Sequence, residues 1–552
     1  MNIGEMQRKL SYWAEQDAER QFYGLYKLIS RSDWLRLAHD HVAKNAGSIT
    51  AGCDGIVMKD FDEDLESNLE AIRKDLQAGA FEPYPVRRVY IPKSKGKYRP
   101  LGIQSIRDRI VQEALRMVLE PIYEADFSPY SFGFRPNRRT MDAIKCIRLG
   151  VQESKKFFWI IEGDLASYFD TINHWKLKKL LRRRVKDEKI IQLIWKFLRA
   201  GVMEKKLFRN IDTGVPQGGI VSPLLANIYL HELDKYMERY TSLSRYEKTK
   251  RRCNGNSNFI YTRYADDFVV LCNGTKEQAE AMKEELHEFL HTRLKLTLSR
   301  EKTRITHLND GFTFLGFHLQ RRMGHRGMTT KVTIPQDAVR KCLEKIRATT
   351  AASTHHDSVA TKILALNRII GGWCRYYQYT SRASTRFSKL DHVVFWYMAH
   401  WLGRKFQLSM PHVMKRYRKG NTFVFEKSRL TKAAEFKTKR YTSRIFKPNP
   451  YTTQSEVIQR EELPADSNWT GYERRPGMAD LRPHILERDG YACQQCGVSE
   501  LTLHTSQIDH KRPVKRFKLP VNANTPENLR TLCIPCHKEK TRMDRQVENL
   551  VP

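Results

Sequence analysis

Two apolar, β-rich runs, Phe259–Tyr264 and Phe268–Cys272, are separated only by Ala265-Asp266-Asp267, and no other feature constrains the chain as much. The pattern reads as a buried hairpin carrying two adjacent carboxylates at its turn. Upstream, Phe157–Ile161 is a further continuous apolar run with the aromatic and β-branched content of a buried strand, followed at once by Glu162-Gly163-Asp164. An acidic residue at the mouth of a buried strand is expensive unless something pairs with it. Asp is common in turns, so either segment alone is ambiguous. Together they offer three carboxylates, Asp164, Asp266 and Asp267, able to converge, and converging anions repel unless protonated or bridged by a cation. Magnesium resolves that conflict. Two such ions about 4 Å apart activate a hydroxyl nucleophile and stabilise a pyrophosphate leaving group.

Charge points the same way. The 552 residues hold 97 Lys plus Arg against 62 Asp plus Glu, a formal charge of +35, so a polyanion is the expected partner. Charge alone does not separate RNA from DNA. With 40% hydrophobic residues the chain can bury more than one core, and three or four domains are expected. No apolar run approaches the roughly 18 residues that span a bilayer. The start, Met1 to Glu19, lacks an apolar signal core and contains acidic residues. The expectation is a soluble, unexported, cytoplasmic protein with no membrane partner. Six of the ten cysteines are scattered, and four form the pairs Cys493-x-x-Cys496 and Cys533-x-x-Cys536. That usage predicts a reducing compartment and a metal rather than disulfides.

Along the chain, residues 1–330 mix helical stretches with short strands, including Val86–Pro92, and predict an α+β domain. Residues 334–406 carry apolar and aromatic residues at helical spacing in 338–348, 359–379 and 387–406. In 403–447, 14 Lys or Arg meet two Glu, interleaved with Tyr417, Phe423, Phe425, Phe436, Tyr441 and Phe446. Such a stretch suits nucleic acid, with charges for phosphates and rings for stacking. Residues 448–476 read as a linker, and 477–552 as a cysteine-bracketed end.

Tyr264-Ala265-Asp266-Asp267 inside an apolar hairpin resembles the reverse transcriptase signature, and other blocks accompany it. Ala51-Gly52-Cys53-Asp54-Gly55, Ile91-Pro92-Lys93 with Arg99-Pro100-Leu101-Gly102-Ile103, Ser131-Phe132-Gly133-Phe134-Arg135-Pro136 and Gly214-Val215-Pro216-Gln217-Gly218-Gly219 are similar, in order, to blocks of the group II intron-encoded proteins. The resemblance implies right-hand reverse transcriptase fingers and palm over 1–330, an α-helical thumb and maturase (X) domain over 331–447, and a linker and DNA-binding region over 448–476. It implies that Asp164, Asp266, Asp267 and the Leu165 carbonyl hold two Mg2+ ions. Phe169 would screen the sugar 2′ position, Lys93 and Arg99 would meet the triphosphate of an incoming deoxynucleotide, and Gln217 would line its pocket. Lys302 matches a lysine of the next block, and Phe314-Leu315-Gly316-Phe317 resembles the hairpin that grips the primer. The implied partners are intron RNA, deoxynucleoside triphosphates and a double-stranded DNA target. Trp373, Tyr376, Tyr377, Trp396 and Trp401 fall at spacings of a helical core, leaving their basic neighbours to contact RNA.

The two Cys-x-x-Cys pairs supply four soft ligands, the stoichiometry of a closed structural Zn2+ site. Between and beyond them lie Ile508-Asp509-His510, Glu527-Asn528 and Cys536-His537, which resemble an HNH endonuclease, a zinc-bracketed ββα-metal module, over 477–552. The resemblance makes His510 the general base, Asp509 and His537 the ligands of one divalent cation, and Asn528 the residue that fixes the loop orienting His510. The reading is a reverse transcriptase and maturase with an HNH endonuclease, serving intron splicing and mobility. Two rivals stay open: a maturase that binds RNA without polymerising, which the intact carboxylates oppose, and a reverse transcriptase of a retron or diversity-generating element, which the appended regions oppose.

Overall fold

The computed structural model describes residues 2–92, 98–204, 207–209, 213–299, 301–324, 327–441, 449–451, 478–502, 505–511, 525–537 and 539–540. Lys93, Phe446 and nearly all of 448–476 lie outside the described residues. The chain divides into two compact units, one of residues 17–445 and one joining 1–16 to 446–552.

In the larger unit the apolar run after Phe157 becomes the strand Trp159–Gly163, flanked by Asp267–Cys272 on one side and Arg304–His307 on the other. Phe259–Tyr264 completes this four-stranded sheet at the outer side of Asp267–Cys272. Ile160 and Ile161 are both buried, so neighbouring residues that point to opposite faces are each covered. That explains a continuous apolar run in an antiparallel strand. Gly163 pairs with Phe268, and a Cβ on Gly163 would lie 2.2 Å from that ring, so no larger residue fits beneath it. A second four-stranded sheet runs in the order Tyr98–Ile103, Val86–Pro92, Val202–Glu204, Leu207–Arg209.

The helices Gln336–Thr349, Val359–Tyr377 and Ala383–Phe406 follow the helical periodicity of the sequence. Ser358 caps the second by accepting from the Thr361 N–H at 3.1 Å. Its Ile363, Leu366, Ile370 and Cys374 are fully buried, a stripe at three- and four-residue spacing. This stripe does not close a separate core. One apolar cluster runs from Phe132 and Ile147 through Val269, Leu271 and Phe317 to Trp401 and Ala433. The helical region thus packs onto the sheet region as one body.

Two expectations about aromatic residues change. Trp401 and Tyr377 are core, but Tyr376 and Trp396 are 39% and 41% exposed, because the helices that carry them present a third face to solvent. The described rings of the basic stretch are not a stacking platform. Tyr417 and Phe423 are buried, Phe425 and Phe436 pack on the core, and Tyr441 sets its ring edge-on to Tyr379 while its hydroxyl donates to Asp142. Short strands at Arg418–Lys419, Thr422–Phe425 and Ser428–Arg429 fold these rings inward.

In the smaller unit the helix Met478–Arg488 packs on a two-stranded antiparallel sheet, Ser506–His510 with Leu529–Cys533, and residues 534–537 turn helical directly afterwards. Among the described residues its buried apolar groups are small: Leu486, Leu501 and Leu532 surround three of the cysteines, and Ile485, Ile508 and Leu529 form a second group. Among the described residues, no helix is long and apolar enough to cross a membrane.

Candidate functional site

Tyr264 pairs with Asp267 across the hairpin, which leaves Ala265 and Asp266 as its two turn residues. Asp267 is therefore the first residue of a strand rather than part of the loop. Ala265 takes φ +56°, a left-handed conformation disfavoured for a residue with a Cβ. Asp164 leaves the neighbouring strand at the same end, since Gly163 is paired with Phe268. The chain after Asp164 then pairs with a later segment: the Ala166 N–H donates to the Thr297 carbonyl and the Ser299 N–H to the Asp164 carbonyl. In that pattern the residue between, Leu165, turns its own carbonyl away from Leu298, opposite which it sits.

Asp164 and Asp266 interact as like charges. Burial pushes the Asp266 carboxyl up, and Asp164 pushes it further, while Arg99 and Lys302 oppose the rise. Lys302 Nζ lies 2.7 Å from Asp164 Oδ2, and this bond, with Asp267 and Asp266 also near, raises the ammonium. The lysine thus supplies a cation where the sequence predicts metal. Among the described residues only the four cysteines are gathered closely enough to form a metal-sized group of three or more ligands; the three carboxylates are not. A half-buried carboxylate raised by a second one suits a divalent cation, which would relieve both the burial and the repulsion.

Other predicted residues surround this turn. The Gly133 position is so close that a Cβ there would lie 2.3 Å from the Ala265 nitrogen. Phe169 is half-buried beside Tyr168, and its carbonyl accepts from Val215. Gly214, at φ +93°, permits backbone contact with Phe169 and Asp170. The Gln217 carbonyl accepts from the Gly102 N–H at 2.6 Å, which joins the Gln217 loop to the strand carrying Arg99. Leu315 and Gly316, both at positive φ, turn the hairpin between Phe314 and Phe317. The Tyr376 and Tyr377 hydroxyls donate to their carbonyls at 2.7 and 3.1 Å. Beside this hairpin is a groove of about 600 Å³, whose lining includes Lys341, Lys345, Arg368, Trp373 and Tyr376.

In the smaller unit all four cysteine sulfurs lie within 4.8 Å of one another and none is in a disulfide. The Cys496–Cys533 separation of 3.7 Å matches the edge of a tetrahedron with metal–sulfur bonds of about 2.3 Å. Burial raises the Cys493 thiol, but backbone N–H groups of Cys496, Cys533 and Gln495 bring it down to about 6. The four-cysteine cluster is compatible with zinc. Asp509 and His510 are nearly buried on the first strand. Asp509 Oδ1 lies 3.9 Å from His537 Nε2, close enough to share a cation, while Lys540 Nζ lies 2.8 Å from Asp509 Oδ2. The Asn528 carbonyl accepts from the Lys511 N–H at 2.7 Å, directly after His510.

Residues 91–319 match the family reverse transcriptase (RNA-dependent DNA polymerase), and residues 339–419 match the group II intron maturase-specific domain. Residues 493–543 match HNH endonuclease. The chain is 43% identical over 367 residues to protein YkfC of Escherichia coli, covering 63% of this chain and 96% of YkfC. It is 36% identical over 364 residues to the group II intron-encoded protein LtrA of Lactococcus lactis, covering 57% of this chain and 60% of LtrA. The chain belongs to the group II intron-encoded proteins. As a member of that family it carries reverse transcriptase, maturase and HNH endonuclease domains in that order. A putative COX1/OXI3 intron 2 protein of Saccharomyces cerevisiae is 26% identical over 88% of this chain and 61% of that protein.

Sequence reasoning did not find Arg263, Asp234 and Asn227, which are buried behind the hairpin turn. A signal was present, since an arginine inside an otherwise apolar strand demands a buried partner.

Proposed function

We propose that this protein copies intron RNA into DNA from a 3′ end exposed by its own nuclease, and separately helps its intron fold for splicing. The observation that carries the polymerase part is the approach of Asp164, at one strand end, to Asp266 in the neighbouring hairpin turn, with Asp267 just after it and Lys302 beside all three. In this reading 1–330 form fingers and palm, 331–447 thumb and maturase domain, 448–476 a DNA-binding linker and 477–552 a ββα-metal nuclease. Asp164, Asp266, Asp267 and the Leu165 carbonyl hold Mg2+. Bound there, magnesium would activate the primer 3′ hydroxyl and neutralise the leaving pyrophosphate. Phe169 stands against a ribose 2′ hydroxyl, Gln217 lines the base pocket, and Arg99 and Lys93 meet the triphosphate as fork and point charge. Lys302 offsets the charge of Asp164 until the metal arrives. In the nuclease, His510 takes a proton from the attacking water, Asp509 and His537 hold the divalent cation, and Asn528 fixes the backbone after His510. The test is extension of a DNA primer on an RNA template with Mg2+, paired with cleavage of duplex DNA by the same preparation. Absence of extension would leave the RNA-binding maturase as the better reading.

Two further outcomes follow from the local geometry. Gly133→Ala forces a methyl onto the Ala265 backbone. Overpacking of this kind costs about 1–3 kcal/mol, and displacing the turn should lower extension at least about tenfold. Melting temperature and single-turnover extension measure the two effects. Charge reversal of Lys341 and Lys345 in the groove should weaken RNA binding with little sequence preference, reducing the slope of log affinity against log salt by about one for each phosphate no longer neutralised. Filter binding across a salt series reads this directly, and an unchanged slope would remove the groove from the RNA path.

A further inference from the structure

Arg263, the residue before the hairpin turn, is fully buried and so is Asp234, its partner. The guanidinium meets the carboxylate with both arms, Nε to Oδ1 at 2.7 Å and Nη2 to Oδ2 at 2.6 Å. The Tyr261 hydroxyl donates to the same carboxylate at 3.0 Å. Burial alone would raise the Asp234 carboxyl, but Arg263 holds it well below the usual carboxylate range. The remaining arm, Nη1, donates at 2.9 Å both to the Asn227 side-chain oxygen and to the carbonyl of Ala265 in the turn. Asn227 in turn donates to the Gly133 carbonyl at 2.9 Å. Backbone bonds of Arg263 with Tyr130 and Phe132 fasten the same segment.

A buried ion pair adds little net stability, since well-packed apolar residues of similar volume often do as well or better. What apolar residues would not supply is the bond to Ala265. That residue holds a left-handed backbone, a state that persists only where its surroundings over-determine it. We propose that Arg263 is a positioning residue for the metal-binding turn: anchored by Asp234, its guanidinium clamps the Ala265 carbonyl and so aims Asp266 at Asp164. Asn227 ties the clamp to the Gly133 segment pressed against the turn. The inference rests on the polymerase reading of that turn.

The test measures the Mg2+ concentration that gives half-maximal primer extension, using the full chain. Arg263→Lys keeps a charge for Asp234 but has no fork to reach Asn227 and Ala265 together. Its Mg2+ requirement should rise about tenfold, as for other residues that orient metal ligands, with KM for the template–primer unchanged. Asn227→Ala leaves the ion pair intact and should raise the requirement by a smaller factor. A folded Arg263→Lys protein with an unchanged Mg2+ requirement overturns the inference, because a merely structural arginine would lower the active fraction and leave metal affinity alone. If Arg263→Lys fails to fold, Asn227→Ala decides in the same way. If the unmodified protein does not extend primers, the polymerase reading falls. Mn2+ binding followed by electron paramagnetic resonance then decides the clamp, with weaker binding in the variants supporting it and equal binding overturning it.

Discussion

Asp266→Asn should reduce primer extension by about a thousandfold or more while leaving the protein folded. On the proposed metal assignment, loss of this carboxylate removes several kcal/mol of transition-state charge stabilisation, and about 4 kcal/mol corresponds to a factor of about a thousand. Stability should move the other way. Burial and Asp164 raise the Asp266 carboxyl in the folded chain, so its ionised form opposes folding at any pH above that raised value. The penalty develops as pH rises from the unfolded-state value through the folded one, and is complete above it. Removing the charge with an amide of the same shape should therefore hold or raise the melting temperature at pH 7 and lessen the benefit at pH 4. An Asp266→Asn protein that melts early at pH 7 would contradict the electrostatic account, and one that extends normally would contradict the metal assignment.

Cys493→Ser should release the bound zinc and unfold the nuclease module. Among the described residues the module buries only six apolar side chains, in two small groups, too few to hold its strands ordered without a metal. Structural zinc sites in small domains contribute on the order of 10 kcal/mol of folding free energy. Strong chelation should have the same result in the unmodified protein. Elemental analysis should fall from one zinc per chain to none, hydrogen exchange across the strands Ser506–His510 and Leu529–Cys533 should lose its protection, and DNA cleavage should disappear. Primer extension should persist, because every carboxylate assigned to it belongs to the larger unit. Retained protection in the metal-free protein would mean that the two strands need no zinc.

The chemistry was more legible in the sequence than its supports were. Asp164 after an apolar strand, Asp266 at the turn of an apolar hairpin and the two Cys-x-x-Cys pairs are local patterns, and each is where its pattern placed it, whereas Asp267, expected in the turn, opens the next strand. The supports depend on pairings between distant residues. Arg263 looks misplaced in its strand until Asp234, on the helix Ser222–Thr241, is brought behind it. Lys302 is legible in the sequence only by block order, and its pairing with Asp164, 138 residues away, is not legible there. The basic stretch misled for another reason: composition records rings and charges but not the faces they take, and Tyr417 and Phe423 turn inward. Tyr376 lies outside the core, where its hydroxyl binds the Leu315 carbonyl, an interaction no helical periodicity encodes.

The strand order of the central sheet also sets a timetable for synthesis. Trp159–Gly163 leaves the ribosome with neither neighbour yet made, since its partner Asp267–Cys272 follows about a hundred residues later and Arg304–His307 later still. At translation rates of roughly 5–20 residues per second, this apolar segment waits on the order of ten seconds with both edges open. During that interval it can pair with the same segment on a neighbouring nascent chain. Recombinant yield should therefore respond to codon speed between 163 and 267 and to chaperone supply, even in variants whose finished structures are equally stable.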